Sequence, residues 1–354
     1  MNKGSGNIIN ETNYKFYNPC ETASILEKVI EKKGKYQECK GKKGGEKERI
    51  DWFYKSSQQK IINPSLIFGR LIPSATGGDR NENKQKYLDM VIEENKKYKA
   101  SGFYDLVLKR QRKWLEELKN SGWIVEDDLR KKTSWRLVVG LGSSHPQETS
   151  MTLHHVYGIP YIPGSAIKGM TRHWFILREF EKQNLSIEQI KCFEKILNEA
   201  DFGNKEDEKT DKSTLKKFEE KFRVNNLKPH ERLFEFVQKH PELINLYQGV
   251  FGTQRQKGGV IFFDSYPNGE INLKVDIMNP HYPEYYSGTQ VPADWQQPNP
   301  IKFLTVENTT FCFSLASCDQ FLLNSAKTLL EEALRNLGVG AKTSLGYGIL
   351  DDMF

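Results

Sequence analysis

Between Trp135 and the C-terminus the sequence switches between two periodicities in a set order, and that order leaves few folds open. Trp135-Arg136-Leu137-Val138-Val139 is β-rich and runs into Gly140-Leu141-Gly142, which punctuates a strand end. Tyr161-Ile162-Pro163-Gly164 leads to Ser165, a good N-cap, with Ile167, Met170, Trp174 and Leu177 at helical spacing behind it. Strand signals return at Gly259-Val260-Ile261-Phe262-Phe263-Asp264 and at Leu273-Lys274-Val275-Asp276-Ile277. The runs 301–306 and 310–315 read as a hairpin turning at Glu307-Asn308. Over 319–337, Leu322, Ala326, Leu329, Leu330, Ala333, Leu334 and Leu337 share one helical face, and Gly338 is placed to cap its end. Strand, helix, strands, helix and a glycine-rich loop make a βαββαβ-like plan. The expected fold is therefore α+β, a ferredoxin-like (RRM-like) domain over residues 131–354. Its two helices cover one face of the sheet and leave the other for a partner or nucleic acid.

Two regions stand outside that plan. Residues 183–248 are helical in pattern and highly charged, with a Lys- and Glu-rich stretch at 204–221, and read as a helical insertion over about 184–247. Residues 1–130 read as a mainly helical N-terminal region with a basic arm. The arm is the lysine-rich run 32–49, which has little to bury. Helical spacing fills 82–120, through Tyr87, Met90, Val91 and Tyr98 and then Val107, Trp114, Leu115 and Leu118, with a break at Gly102. A chain of 354 residues has room for about two domains of ordinary size.

The longest apolar stretch, around 137–141, is far too short to span a bilayer, so a membrane protein is excluded. Met1-Asn2-Lys3-Gly4 does not open an apolar run of the secretory type. Five scattered cysteines without a CxxC pair suit a reducing compartment, and a cytoplasmic location is expected. The charge balance is 52 Lys and Arg against 46 Asp and Glu, or +6, which permits a basic face without establishing one.

The most informative segment is Gly338-Val339-Gly340-Ala341-Lys342-Thr343-Ser344-Leu345-Gly346-Tyr347-Gly348. Glycine lets a polyanion approach the main chain, and Lys342, Thr343 and Ser344 supply an ammonium and two hydroxyls. The spacing lacks the Gly-Lys-Ser/Thr run of a Walker A loop, and the segment follows a helix instead of preceding one. The same pattern also suits a plain turn between the last helix and the last strand. A second segment, 158–172, stiffens its approach with Pro160 and Pro163 and then starts a helix, whose N-terminus favours phosphate. Lys168 and Arg172 lie one turn apart on that helix and share a face. The stretch 252–259 places Arg255 and Lys257 between glycines, as a phosphate contact or an ordinary exposed hairpin turn.

Four pieces taken together resemble the RAMP superfamily of CRISPR-associated proteins. These are Gly140-Leu141-Gly142 with Glu148-Thr149-Ser150, the 158–169 segment, Val250-Phe251-Gly252 with 258–264, and the terminal glycine loop. The stretches 276–282 and 292–301 narrow the resemblance to the sixth RAMP subunit of type III-B effector complexes. It covers roughly residues 135–354. The resemblance implies a RAMP domain and a subunit near one end of a helical filament, holding the 3′ part of a guide RNA. It also implies contact with complementary target RNA and with backbone, small and end-cap subunits, without a cofactor and without catalysis by this chain. The RNA-binding residues expected on this basis are Lys168, Arg172, Arg255, Lys257, Gly338, Gly340, Lys342, Thr343 and Ser344.

Two rival readings stay open. Some RAMP relatives cleave precursor guide RNA without metal, using a histidine as general acid or base, and His145, His154, His155, His173 and His281 are the candidates here. Asp264, Asp276 and Asp294 are too dispersed to stand as a metal site and suit turn-capping instead. A purely protein-binding module is the third class, with Tyr282, Tyr285, Tyr286 and Trp295 as interface aromatics.

Overall fold

In the computed structural model the chain divides into two units. The structure describes residues 63–182 apart from 70–72, 76–79 and 101, residues 240–279 apart from 255, residues 300–352, and short pieces at 14–16, 190, 194, 197, 198, 288 and 291. The basic arm, most of the insertion, Arg255, His281 and the aromatics at 282–295 lie outside the described residues. No helix among the described residues is long and apolar enough to cross a membrane.

One unit takes residues 1–104, 142–159 and 274–304. Strand β1 (Tyr14–Phe16), helix α1 (Pro64–Gly69), strand β2 (Pro73–Ala75) and helix α2 (Arg80–Ala100) belong to it, with β1 and β2 paired antiparallel. Of the residues whose spacing predicts α2, Tyr87, Val91 and Tyr98 are covered and Met90 is half-buried, while Leu88, outside that spacing, is also covered. The Tyr87 hydroxyl donates to the carbonyl of Phe68 at 2.6 Å. Lys84 is also buried, and its ammonium is paired with Glu148 at 3.4 Å.

The other unit takes residues 105–141, 160–273 and 305–354. Most of helix α3 (Phe103–Asn120) opens it, followed by β3 (Ile124–Thr133), β4 (Arg136–Leu137), α4 (Gly164–Lys182), α5 (Pro241–Phe251), β5 (Val260–Phe262) and β6 (Tyr266–Pro267). Strands β7 (Asn272–Met278) and β8 (Ile301–Glu307) have residues in both units' ranges, and β9 (Thr310–Ser317), α6 (Gln320–Asn336) and β10 (Leu350–Asp351) follow in this one. The principal sheet has the order β10-β3-β9-β5, with every neighbour antiparallel and β6 also paired to β9. A smaller sheet has the order β4-β8-β7. The chain thus has mixed helices and antiparallel sheets, as an α+β fold requires.

Phe311, Phe313, Leu315 and Ala316 on β9 are fully covered, and Leu329, Leu330, Ala333 and Leu334 of α6 form the helical part of the core. Removing a phenylalanine so placed costs about 3–5 kcal/mol, transfer and cavity together. Helix α6 packs against α4. Glu332 ties the two, accepting from the Trp174 indole at 2.9 Å and from the Arg178 guanidinium at 3.1 Å. Asp319 caps α6 through the N–H groups of Phe321 and Leu322, a contact worth about 1 kcal/mol. Gly338 ends the helix with φ +77°, as its spacing predicts.

Three local expectations are corrected. The runs around 301–306 and 310–315 are strands but not a hairpin: β8 and β9 lie in different sheets. The chain turns at Asn308 (φ +43°) and at the buried Thr309, whose N–H donates to the Thr133 hydroxyl at 3.1 Å and whose carbonyl accepts from the Thr133 N–H at 3.0 Å. Segments β3–β4 and β8–β9 therefore cross together from one sheet to the other as a bent two-stranded ribbon, paired Lys132↔Thr310 before the bend and Arg136↔Glu307 after it. The first strand of the principal sheet is β3, not the Trp135–Val139 run, of which only Arg136 and Leu137 pair. Ser165 does not cap α4: it is exposed, and the helix begins one residue earlier.

Candidate nucleic-acid interface

The start of α4 is set by two contacts that local sequence cannot show. Gly164 donates its N–H to the Asp264 carboxylate at 2.7 Å. A side chain at Gly164 would place its Cβ 2.3 Å from the carbonyl oxygen of Phe262, so only glycine lets the helix begin against β5. Asp264 already supplies the negative charge that the helix N-terminus favours. The phosphate-accepting end expected there is occupied from within, and Asp264, expected to cap a turn, caps the start of a distant helix.

One turn further along, the helix borders a cleft of about 630 Å³. Ser165, Lys168, Gly169 and Arg172 line it from α4, and residues 251–254 line it from the turn after α5. Glu194 and Asn198, within the insertion, complete the wall. Gly252 shapes that turn: it has φ +73°, and a Cβ there would lie 2.4 Å from the N of Gly258. The turn closes through Thr253 N–H to the Gln256 carbonyl at 2.8 Å and a bridge between Gly252 and Lys257. Lys257 is exposed on the same turn.

The two cations of the cleft are in different states. Arg172 is engaged, pairing with Glu194 at 2.6 Å and donating to the Asn198 side-chain oxygen at 3.3 Å. Tyr247 donates its hydroxyl to the same oxygen at 2.9 Å, and burial raises the pKa of that phenol. Lys168 is half-buried, and its ammonium makes no ion pair or hydrogen bond among the described residues. Burial, and then the neighbouring Arg172, lower its pKa. A cation in that position is stabilised by any anion that enters.

The glycine loop is built differently. Lys342 adopts the left-handed conformation (φ +61°) at the head of a short 3-10 turn, Thr343–Leu345. Its ammonium lies 5.4 Å from the centre of the Tyr347 ring. The hydroxyls of Thr343 and Ser344 make no hydrogen bond among the described residues. The glycines answer to the backbone: a Cβ at Gly340 would fall 2.3 Å from the Val138 carbonyl oxygen, and one at Gly348 would fall 1.9 Å from that of Val339. Gly338 is buried in the same interlock. Tyr347 is covered and packs 4.8 Å from the exposed indole of Trp135, over which the Arg136 guanidinium sits at 5.3 Å.

Lys168, Arg172 and the turn carrying Lys257 are therefore brought together, and Lys342, Thr343 and Ser344 form a second cluster whose residues do not line the cleft. Sequence spacing missed Glu194, Asn198, Trp135 and Arg136. The two cleft residues come from a charged insertion with no motif, whereas an aromatic and a cation opening a strand were a usable signal.

Two of the histidines that could serve acid–base chemistry, His145 and His154, are held by the main chain. His145 accepts from the Gln147 N–H at its Nδ1, so its Nε2 is the donor to the Phe68 carbonyl at 2.8 Å, and burial lowers its pKa. His154 accepts at Nδ1 from the N–H groups of Val156 and Tyr157, both at 3.3 Å. Its ring stacks on those of His155 and Tyr157. His155 and His173 are exposed. No group of three or more metal-ligating side chains occurs among the described residues.

The family model of the RAMP superfamily matches residues 112–351, so the match begins within α3, ahead of the 135 expected from motifs. The chain is 42% identical over 241 residues to the CRISPR system Cmr subunit Cmr6 of Pyrococcus furiosus, covering 62% of this chain and 66% of that protein, just under two thirds of its length. The crystal structure of Cmr6 from Pyrococcus furiosus is 36% identical and covers 66% of this chain and 99% of that one, with a TM-score of 0.39. A cryo-EM structure of the type III-B Cmr-beta complex bound to cognate target RNA matches at 19% identity, over 77% of this chain and 75% of that one, with a TM-score of 0.45.

Proposed function

The chain belongs to the RAMP superfamily, and from that premise we propose that it is a non-catalytic RNA-binding and assembly subunit of a type III-B CRISPR effector complex. It holds the 3′ part of the guide RNA and so contributes to antiviral defence by RNA-guided recognition of target RNA. Its partners are the guide, the complementary target strand, and the backbone, small and end-cap subunits of the complex. Its place is the cytoplasm. The 42% identity to Cmr6 supports the assignment to this complex. The order β10-β3-β9-β5, with α4 following β3 and α6 following β9, supports reading the principal sheet as ferredoxin-like.

The observation that carries RNA binding is the half-buried Lys168, whose ammonium makes no ion pair or hydrogen bond among the described residues, in a cleft shared with Arg172 and Glu194. A backbone phosphate entering the cleft accepts from Lys168 and competes with Glu194 for Arg172. Lys257 reaches the same strand from the turn, and Lys342, Thr343 and Ser344 make a second backbone contact. None of these groups is arranged to read base edges, so sequence selectivity is left to guide–target pairing.

The test is a salt titration of the purified chain with guide RNA, free or paired to its complement, with the products run on a denaturing gel with and without divalent metal. Intact RNA, bound with an affinity that falls steeply with salt, is the expected result. Metal-independent cleavage that disappears in His154→Ala or His155→Ala would replace this reading with a ribonuclease.

A further inference from the structure

We propose that Trp135 is a stacking platform for one unpaired nucleobase, at a site separate from the Lys168 cleft. The inference rests on the RNA-binding reading and deepens it by naming how a base, as distinct from a phosphate, is held. Trp135 stands between β3 and β4 and leaves 49% of its surface exposed, although Leu137, two residues on, is buried. Two side chains flank its indole. The buried Tyr347 ring lies 4.8 Å away, tilted by 57°, and the Arg136 guanidinium lies 5.3 Å from the indole centre.

The backbone beneath is fixed as firmly as a core strand. Ser134 donates its N–H to the Ile349 carbonyl at 3.0 Å, Gly348 donates to Arg136 at 2.7 Å, and Val339 donates to Gly348 at 2.9 Å. An aromatic surface held in this way loses little freedom when a flat ligand lies on it. Every nucleobase presents a π-face, so such a platform is tolerant of sequence, as a subunit that leaves base reading to pairing requires.

Charge selects the kind of ligand. Arg136 flanks the indole and is paired with Glu307 at 3.8 Å, and the Lys342 ammonium lies 5.4 Å from the Tyr347 ring. Two cations against one carboxylate leave a net positive charge around the exposed indole, which favours an anion that also carries rings. The phosphate of the stacked nucleotide is then within reach of the Lys342 loop, whose Ser344 hydroxyl is exposed.

The test compares Trp135→Phe, Trp135→Leu and Trp135→Ala in the full chain, by fluorescence anisotropy with single-stranded and duplex RNA over a range of salt. Loss of one stacked base lowers single-strand affinity on the order of tenfold in the Ala and Leu variants. Phe restores most of it, duplex binding is unchanged, and the slope against salt stays at its wild-type value because no phosphate contact is removed. Equal affinity in the Leu and Phe variants overturns stacking, since apolar bulk would then suffice. Unchanged RNA affinity with loss of partner subunits from the assembled complex also overturns it and assigns Trp135 to a protein contact. If the wild-type chain itself binds no RNA, the broader reading falls along with this one. If only the variants fail to differ from it, the platform alone falls.

Discussion

Two glycine-bearing turns were expected to touch phosphate for the same reason, and the structure gives their glycines different work. At the Lys168 cleft, Gly252 bends a turn so that it closes on itself at Gly258, and the cavity stays open beside two cations. At the C-terminal loop, Gly340 and Gly348 fill space that the carbonyls of Val138 and Val339 leave no wider. A glycine marks close approach, but what approaches is as often the protein's own backbone as a ligand. The cleft is distinguished by its cations and the loop by its packing.

Breaking the loop should give the largest effect. Gly348→Ala sets a Cβ against a carbonyl oxygen at a residue with φ +74°. The expected loss is about 3 kcal/mol, toward the upper end for strained backbone, read by urea denaturation. Gly346→Ala has an equally unfavourable φ of +89° but open space around it, and should cost only about 1 kcal/mol. Equal losses at the two positions would show that close packing is not what the loop requires.

The cleft should respond in affinity instead of stability. Lys168→Ala is expected to reduce the salt slope of RNA binding by about 0.7, one single-strand phosphate contact, with an unfolding midpoint at or above that of the parent because a poorly solvated charge is removed. Glu194→Gln frees Arg172 of its carboxylate and should raise RNA affinity severalfold at low salt. A fall in affinity in that variant would mean that Glu194 positions Arg172 for RNA and does not compete with it. Lys342→Ala should have the smallest effect, a slope change no larger than that of Lys168→Ala, since its ammonium already rests near the Tyr347 ring. A larger change there than at Lys168 would reverse the ranking of the two regions.

Much of the fold was legible wherever apolar residues kept the period of their element. Helices α2, α3, α4 and α6 fall close to where spacing puts them, with the break at Gly102 and the stop at Gly338. Strand β3 was not legible because its inward positions are Leu129, Lys131 and Thr133, of which only one is apolar. Lys131 is tolerated there because Asp352 and Glu331 pair with it, and those partners lie 221 and 200 residues away in the chain. The cap of α4 was missed for the same reason: Asp264 lies 100 residues from Gly164, while Ser165 stands beside it in sequence. Of the site, the Lys168–Arg172 pair was readable from helical spacing. The state of each cation was not, because Glu194 reaches Arg172 from an insertion whose helical, highly charged pattern carries no motif.

The bent ribbon couples what would otherwise be two separate reservoirs of stability. Thr133 and Thr309 hold each other at the one point where both strand pairs change sheets, and Thr309 also accepts from Asn272 at 3.2 Å on the neighbouring segment. A local opening at that joint detaches Leu137 and Val306 on one side and Phe311 on the other in a single event. Amide exchange at these three positions should therefore report one shared opening free energy, making the joint a cooperative boundary whose strength sets how far a fluctuation in the small sheet spreads into the large one.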